Sequence, residues 1–167
     1  MSMQSKLDKK QWDTFWKVWD RKLETLPGAK KAALYAAGKA VLPALRQQIE
    51  RRVDDRDGRV RKWQEIRLGS KGGYVAISPV DDQISINQTA DRYVTSRDIT
   101  QYLERGHKIR PPSGRAKRYN PRVKSGRTYV PGRMFYSWTR LDATKLAVSA
   151  AREQILEWIN ELAEVDV

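Results

Sequence analysis

Acidic residues grouped just before Gly58 are the first candidates for chemistry in this sequence. Asp54, Asp55 and Asp57 lie within four positions, as do the first oxygen ligands of a calcium-binding loop. However, no acidic residue follows Gly58 at the spacing where such a loop places its bidentate glutamate. The pattern therefore predicts a solvated turn and no metal site.

A nuclease-like magnesium site would need those aspartates to converge with Asp81, Asp82 or Glu104. Neighbouring aspartates in turns more often serve the turn itself. Cysteine is absent and His107 is the single histidine, which excludes a thiolate site and a multi-histidine metal site. We therefore predict that the protein is not an enzyme and binds no cofactor.

Positive charge is concentrated in one part of the chain. The formal net charge is +13, and residues 106–140 contain ten Lys or Arg and no Asp or Glu. Proline and glycine recur through residues 107–128, which indicates a loop or an extended arm; a disordered, solvated loop is the alternative. We predict that this loop and Arg133 contact DNA or an acidic partner, and that His107 joins that contact or makes a structural hydrogen bond at its start. The predicted contact residues are Lys108, Arg110, Arg115, Lys117, Arg118, Arg122, Lys124, Arg127 and Arg133.

An amphipathic helix is predicted to begin the chain. From Leu7 to Leu26, apolar residues recur every three or four positions, which places them on one helical face. Pro27 and Gly28 are predicted to end this helix. Its aromatic face either packs on the rest of the fold or docks on a neighbouring subunit. The aromatic residues of that face are Trp12, Phe15, Trp16 and Trp19.

The remaining elements indicate an α+β domain. An Ala-rich helix is predicted from about Ala29 to Val53, with a kink or split at Pro43. Two β runs around a glycine-rich loop at 69–73 predict a hairpin. We expect a small antiparallel β-sheet packed by this helix and by a long C-terminal helix. The resulting division is 1–28 for the Trp-rich helix and 29–167 for the α+β domain.

The C-terminal helix is predicted to run from near Pro131–Gly132 towards Val165. Leu141, Val148, Ile155 and Leu162 recur every seven residues, which predicts a seam against the sheet or the Ala-rich helix. Four glutamates of this helix form either a face for a neighbouring subunit's basic loop or its solvent side. These are Glu153, Glu157, Glu161 and Glu164.

Three short segments resemble a known family. They are Asp57-Gly58-Arg59-Val60-Arg61, Tyr102-Leu103-Glu104-Arg105-Gly106-His107 and Val130-Pro131-Gly132-Arg133-Met134-Phe135. In order and spacing they are similar to segments of the phage tail-component family, the neck or tail-completion proteins of long-tailed phages related to the minor tail protein Z group of lambda. The resemblance covers roughly residues 29–165.

The resemblance implies a structural virion protein. Members of the family are not enzymes and form rings at the head–tail junction or at the head-proximal end of the tail. For this chain we therefore expect a viral assembly role in the virion neck and in the host cytoplasm during assembly. The expected oligomer is a hexamer, or alternatively a dodecamer, in contact with connector, tail terminator or tail tube proteins and, passively, with genomic DNA.

The same expectation gives a set of subunit-interface residues and one competing function. The interface residues are Trp12, Phe15, Trp16, Trp19, Tyr102, Glu104, Arg105, Glu153 and Glu157. The competing hypothesis is a sequence-nonspecific nucleic-acid-binding protein, in which Tyr119, Tyr129 and Tyr136 stack on bases between the basic residues. No apolar stretch is long enough for a membrane span, so no membrane contact is expected.

Overall fold

A computed structural model of the chain describes residues 9–87, 92–109 and 129–164. The architecture is α+β, as predicted, with two long helices and short β pairs. The helices are α1 (Lys9–Arg52), α2 (Arg59–Lys62), α3 (Ser96–Arg105) and α4 (Phe135–Glu164). The strands are β1 (Gln64–Leu68), β2 (Val75–Pro79), β3 (Gln83–Asn87), β4 (Arg92–Thr95), β5 (Gly106–Lys108) and β6 (Tyr129–Pro131).

Helix α1 is continuous over 44 residues, with Pro27 and Pro43 inside it. The predicted end at Pro27–Gly28 is therefore wrong, as is a split at Pro43. A proline removes one helical hydrogen bond, and contacts with α4 just before Pro27 offset that loss. Lys22 Nζ donates to the Leu162 carbonyl at 2.8 Å, and Trp158 Nε1 donates to Thr25 Oγ1 at 3.1 Å.

The core lies where the C-terminal half of α1 meets the start of α4. Leu45 and Ile49 of α1, Val60 of α2 and Phe135 of α4 form one buried cluster. Among the described residues, every buried apolar side chain lies between residues 33 and 60 or at Phe135. The N-terminal half of α1 is thus packed against α4 outside this core.

The β structure consists of three separate antiparallel pairs, β1–β2, β3–β4 and β5–β6. The first is the predicted hairpin, with Ile66 opposite Ile77. It approaches α1 so closely that a Cβ on Gly38 would lie 2.7 Å from Ile66 Cγ2. Small residues on α1 therefore set the distance between the helical pair and the hairpin.

Helix α3 shows how local sequence fixes an element. Thr95 is its N-cap, and the Thr95 and Asp98 side chains form a reciprocal capping box. Gly106 follows the last helical residue with φ of 79°, a conformation that glycine adopts without a steric cost. These two signals place α3 immediately before β5.

The continuity of α1 predicts that Gly28→Ala raises the free energy of unfolding by roughly 1 kcal/mol, because alanine is the better helix former. Nothing lies within 4 Å of a Cβ added at Gly28. The measurement is urea-induced unfolding followed by circular dichroism. The matched control is Gly38→Ala in the same helix, which should destabilise because its Cβ meets Ile66 and Val75. A loss of stability in Gly28→Ala would contradict a helix that continues through this position.

Candidate functional site

Two of the segments that carry the family resemblance lie against each other. Strand β5 pairs with β6, so that Gly106 is opposite Pro131 and His107 opposite Val130. Next to this pair, Arg133 N donates to the Leu103 carbonyl at 2.7 Å. The segments 102–107 and 130–135 thus form one junction between α3 and α4.

Glycine is required on both sides of this junction. A Cβ on Gly132 would overlap the carbonyl oxygen of Glu104, and a Cβ on Gly106 would overlap that of Val130. The two backbones therefore approach more closely than any side chain allows. This explains physically why both segments contain a glycine.

Glu104 holds the beginning of α4. Its carboxylate accepts hydrogen bonds from Tyr136 N at 3.0 Å, Ser137 N at 3.3 Å and Ser137 Oγ at 3.2 Å. Backbone N–H groups in the first turn of a helix have no partner within the helix, and a negative charge there is favourable. Glu104, predicted at a subunit interface, is thus engaged within its own chain, and its interface role stays a prediction.

A buried polar chain continues from this junction to the hairpin. The Tyr136 hydroxyl donates to Gln64 Oε1, and Gln64 Nε2 donates to the Val60 carbonyl at 3.0 Å. Gln64 is fully buried. Burial, and secondarily the charge of Glu104, raises the pKa of Tyr136 far above its ordinary value. The hydroxyl therefore keeps its proton even in alkaline solution and acts as a structural donor to Gln64.

The predicted turn at residues 54–57 is present, and its central carboxylate serves the backbone. Asp55 accepts hydrogen bonds from Val60 N and Arg61 N, both at 3.1 Å, at the start of α2. Asp54 and Asp57 form exposed ion pairs with Arg56 and Arg59, which contribute little to stability. In the described part of the chain, no three His, Asp or Glu side chains are grouped as a metal site requires.

Two of the nine predicted basic contact residues belong to the described ranges. Lys108 ends β5 and Arg133 precedes α4, and both side chains are exposed. His107 is also exposed, with its ring centroid 5.5 Å from that of Tyr102. Seven of the predicted residues lie outside the described residues: Arg110, Arg115, Lys117, Arg118, Arg122, Lys124 and Arg127.

The predicted aromatic face of α1 is accessible where the structure describes its side chains. Trp16 is 57% exposed and Trp19 is 45% exposed. Leu23 and Leu26 continue the same 3–4 spacing and are also exposed. We refer to Trp16, Trp19, Leu23 and Leu26 as the α1 stripe; the side chains of Trp12 and Phe15 lie outside the described ones. This accessibility is what docking on a neighbouring subunit requires.

The α4 residues that face the rest of the fold differ from those predicted. Phe135 and Thr139 are buried, and Ala143 and Ala147 continue their four-residue spacing along a groove shared with α1 and β2. Leu141 and Val148, predicted in the packing seam, are instead 72% and 61% exposed. Small residues thus line the inner side of α4, and larger apolar residues lie on its outer side.

The outer side of α4 therefore has an apolar stripe of its own. Its seven residues follow one another along α4 at alternating steps of three and four positions. Five are apolar and two are basic: Trp138, Leu141, Lys145, Val148, Arg152, Ile155 and Ile159. We refer to these seven residues as the α4 stripe. Ile155 is half-buried, and the other six are exposed. Sequence periodicity detected part of this series but assigned it to the inside of the fold.

The remaining predicted interface residues lie on both ends of the molecule. Tyr102 and Arg105 are exposed on α3. Glu153 and Glu157 are exposed on α4, where they accept hydrogen bonds from Ser149 Oγ and Gln154 Nε2 of the same helix. All four are accessible to a partner, and their interface role stays a prediction.

A groove of about 580 Å³ separates α1, β2 and α4 on the hairpin side. Its walls are mainly small or apolar, including Ala37, Gly38, Val41, Val75 and Ala143. Among the described residues, Arg140 is the single charged one that lines it. The described walls of the groove are therefore mainly apolar.

Comparisons with known proteins return no match to a family model, a curated protein or a solved structure. Across the described ranges, every helix is too polar or too short to cross a bilayer. A functional assignment therefore depends on the residues and the geometry described above.

The contacts of Glu104 predict that Glu104→Ala lowers the free energy of unfolding by about 1–2 kcal/mol, the usual cost of removing a side chain that caps a helix. Urea unfolding measures this effect. Glu161→Ala, on the exposed side of α4, is the matched control and should stay within about 0.5 kcal/mol of the wild type. Equal stability of the two variants would show that Glu104 does not hold α4.

Proposed function

We propose that this chain is a structural subunit of a ring in the neck or tail of a long-tailed phage, where it helps to join the tail to the head around the DNA channel. The observation that carries the proposal is the apolar surface left exposed along both long helices. Trp16, Leu23, Leu141, Val148 and Ile159 are each more than two-fifths exposed. Exposed apolar side chains that follow one another along a helix, unlike single scattered ones, mark surfaces for protein–protein contact.

The extent of this surface favours assembly over an isolated monomer. Monomeric soluble proteins rarely expose contiguous apolar patches larger than a few hundred Å². Helix α1 is about 66 Å long at 1.5 Å per residue, and its stripe lies in the half outside the buried core. A helical pair with apolar residues on its outer sides is suited to packing between copies of itself or between different virion proteins.

The phage assignment depends on the resemblance of three segments. Two of them, 102–107 and 130–135, are in contact across the β5–β6 pair, and the third, 57–61, contains the cap of α2. In this contact Gly106 and Gly132 are each required for steric reasons. This supports the interpretation of the motifs as parts of one domain rather than as separate coincidences.

The roles of the acidic and titratable groups are in keeping with a non-catalytic protein. Asp55, Glu104 and Tyr136 each hydrogen-bond to a neighbouring element of the fold. A carboxylate that caps a helix is already occupied and is a poor candidate for acid–base chemistry. The proposal therefore assigns these groups to architecture.

Positive charge at one end of the molecule suits a partner rich in phosphate or carboxylate. Lys108 and Arg133 are exposed at the β5–β6 end, and the sequence between these two residues contains seven further Lys or Arg and no acid. In a ring, such a segment lines the channel that DNA crosses or reaches an acidic face of a neighbour.

The proposal predicts that the chain is a stoichiometric component of purified phage particles. Quantitative mass spectrometry of the particles should detect it in a fixed copy number. Cryo-electron microscopy should place it in a symmetric ring at the head–tail junction or at the head-proximal end of the tail. Particles that contain the other tail proteins but lack this chain would overturn the proposal.

A second candidate, sequence-nonspecific nucleic-acid binding, is favoured by the basic composition of residues 106–140. Binding through phosphates releases counterions, so affinity for duplex DNA should fall steeply as salt rises. We expect weak duplex binding that is lost between about 50 and 200 mM salt, the range over which several phosphate contacts weaken by orders of magnitude. Fluorescence anisotropy with two unrelated duplexes measures it; affinity that is independent of salt, or that differs between duplexes, would contradict this candidate.

A further inference from the structure

The α4 stripe contains two cations that form no ion pair with the described part of their own chain. Lys145 and Arg152 lie on the same side of α4 as Leu141 and Val148, three or four positions from them. The side chains of Lys145 and Arg152 are both exposed. In two packed helices, the apolar positions of the series form the contact and nearby charges select the partner. A partner that covers this stripe must therefore provide carboxylates beside its own apolar residues.

A second α4 would bring its own two cations into the middle of the contact, while its exposed carboxylates nearby, Asp142 and Glu153, lie beside the stripe. Lys145 and Arg152 lie near the middle of the stripe, which extends from 138 to 159. In an antiparallel pair related by a two-fold axis, the four cations of two copies would meet at the centre. In a parallel pair, each cation would face its own counterpart. Like charges brought together in a contact destabilise it, so self-pairing of α4 is disfavoured in both orientations.

Helix α1 provides the complementary pattern. Its stripe has the same 3–4 spacing, and the exposed residues Asp13 and Asp20 lie beside it. These two aspartates are seven residues apart, as are Lys145 and Arg152. Seven residues correspond to about 10.5 Å along a helix, so two carboxylates and two cations can pair at the same spacing.

We propose that the α1 stripe of one copy packs against the α4 stripe of a second copy, with Asp13 and Asp20 of the first facing Lys145 and Arg152 of the second. This inference rests on the proposed ring function and specifies the contact between neighbours. Two different surfaces of one chain meet in it, and in a ring each copy uses its α1 stripe toward one neighbour and its α4 stripe toward the other, which makes the contact heterologous. Repetition of a heterologous contact closes a ring or continues as a filament.

Charge reversal on each helix tests the contact by sedimentation velocity. The wild-type chain should self-associate at about 100 µM, where even a micromolar contact is populated. Asp13→Lys/Asp20→Lys and Lys145→Glu/Arg152→Glu should each weaken self-association by about tenfold or more. An equimolar mixture of the two variants should regain it, because every contact between unlike copies again joins opposite charges.

Matched controls come from the exposed turn after α1. Asp54→Lys/Asp57→Lys and Arg56→Glu/Arg59→Glu make the same changes of net charge away from both stripes and should leave self-association unchanged. Urea unfolding of all four variants establishes that each is folded. Recovery in the mixture is the decisive result, since misfolded variants would not regain assembly on mixing.

The outcomes separate this inference from the proposed function. A wild-type chain that is monomeric at 100 µM, or a mixture that stays dissociated while its components are folded, would overturn the α1–α4 contact. An effect of the α4 reversal without any effect of the α1 reversal would also overturn it and indicate another occupant of the α4 stripe. None of these results bears on the presence of the chain in virions, which particle mass spectrometry decides.

Discussion

The antiparallel packing of α1 on α4 is the constraint on which the other elements depend. It joins residues more than a hundred positions apart, as in the hydrogen bond from Lys22 to Leu162. Small residues, such as Ala37 on α1 and Ala143 on α4, line the space between the helices. Leu141 and Val148 lie on the outer side of α4. The exposed apolar surface is thus a consequence of how the helical pair is built.

The position of α4 depends on contacts made by its first helical turn. Phe135 is fully buried in the core, Tyr136 reaches Gln64, and Glu104 accepts hydrogen bonds from the backbone of the helix. These contacts connect α4 to the hairpin and to α3 at a single point. The adjacent β5–β6 pair contains the described residues that come just before and just after the charged segment in the sequence. One end of the molecule is consequently well anchored, while the other consists of two helices that support each other.

Local signals in the sequence predicted the elements better than the contacts between them. The hairpin of Gln64–Leu68 and Val75–Pro79 follows from alternating residues on both sides of a glycine-rich turn. The predicted helix end at Pro27 is wrong, because packing against α4 outweighs the hydrogen bond that the proline removes. The role of Glu104 could not be predicted, since it caps a helix that begins about thirty residues later. Nothing in the sequence indicated that the segments 102–107 and 130–135 meet, or which hydrogen bonds join them.

Because α1 is one continuous helix, insertions into it have a structural consequence. One residue inserted into a helix moves the residues beyond it by 1.5 Å along the helix axis and rotates them by 100° about that axis. An insertion between Leu26 and Ala33 would thus swing Trp16 and Trp19 to another side of the molecule, while the core near Leu45 stayed in place. Insertions of about seven or eleven residues, close to whole numbers of turns, would restore the direction. Length variation in this helix is therefore confined to steps that preserve its phase.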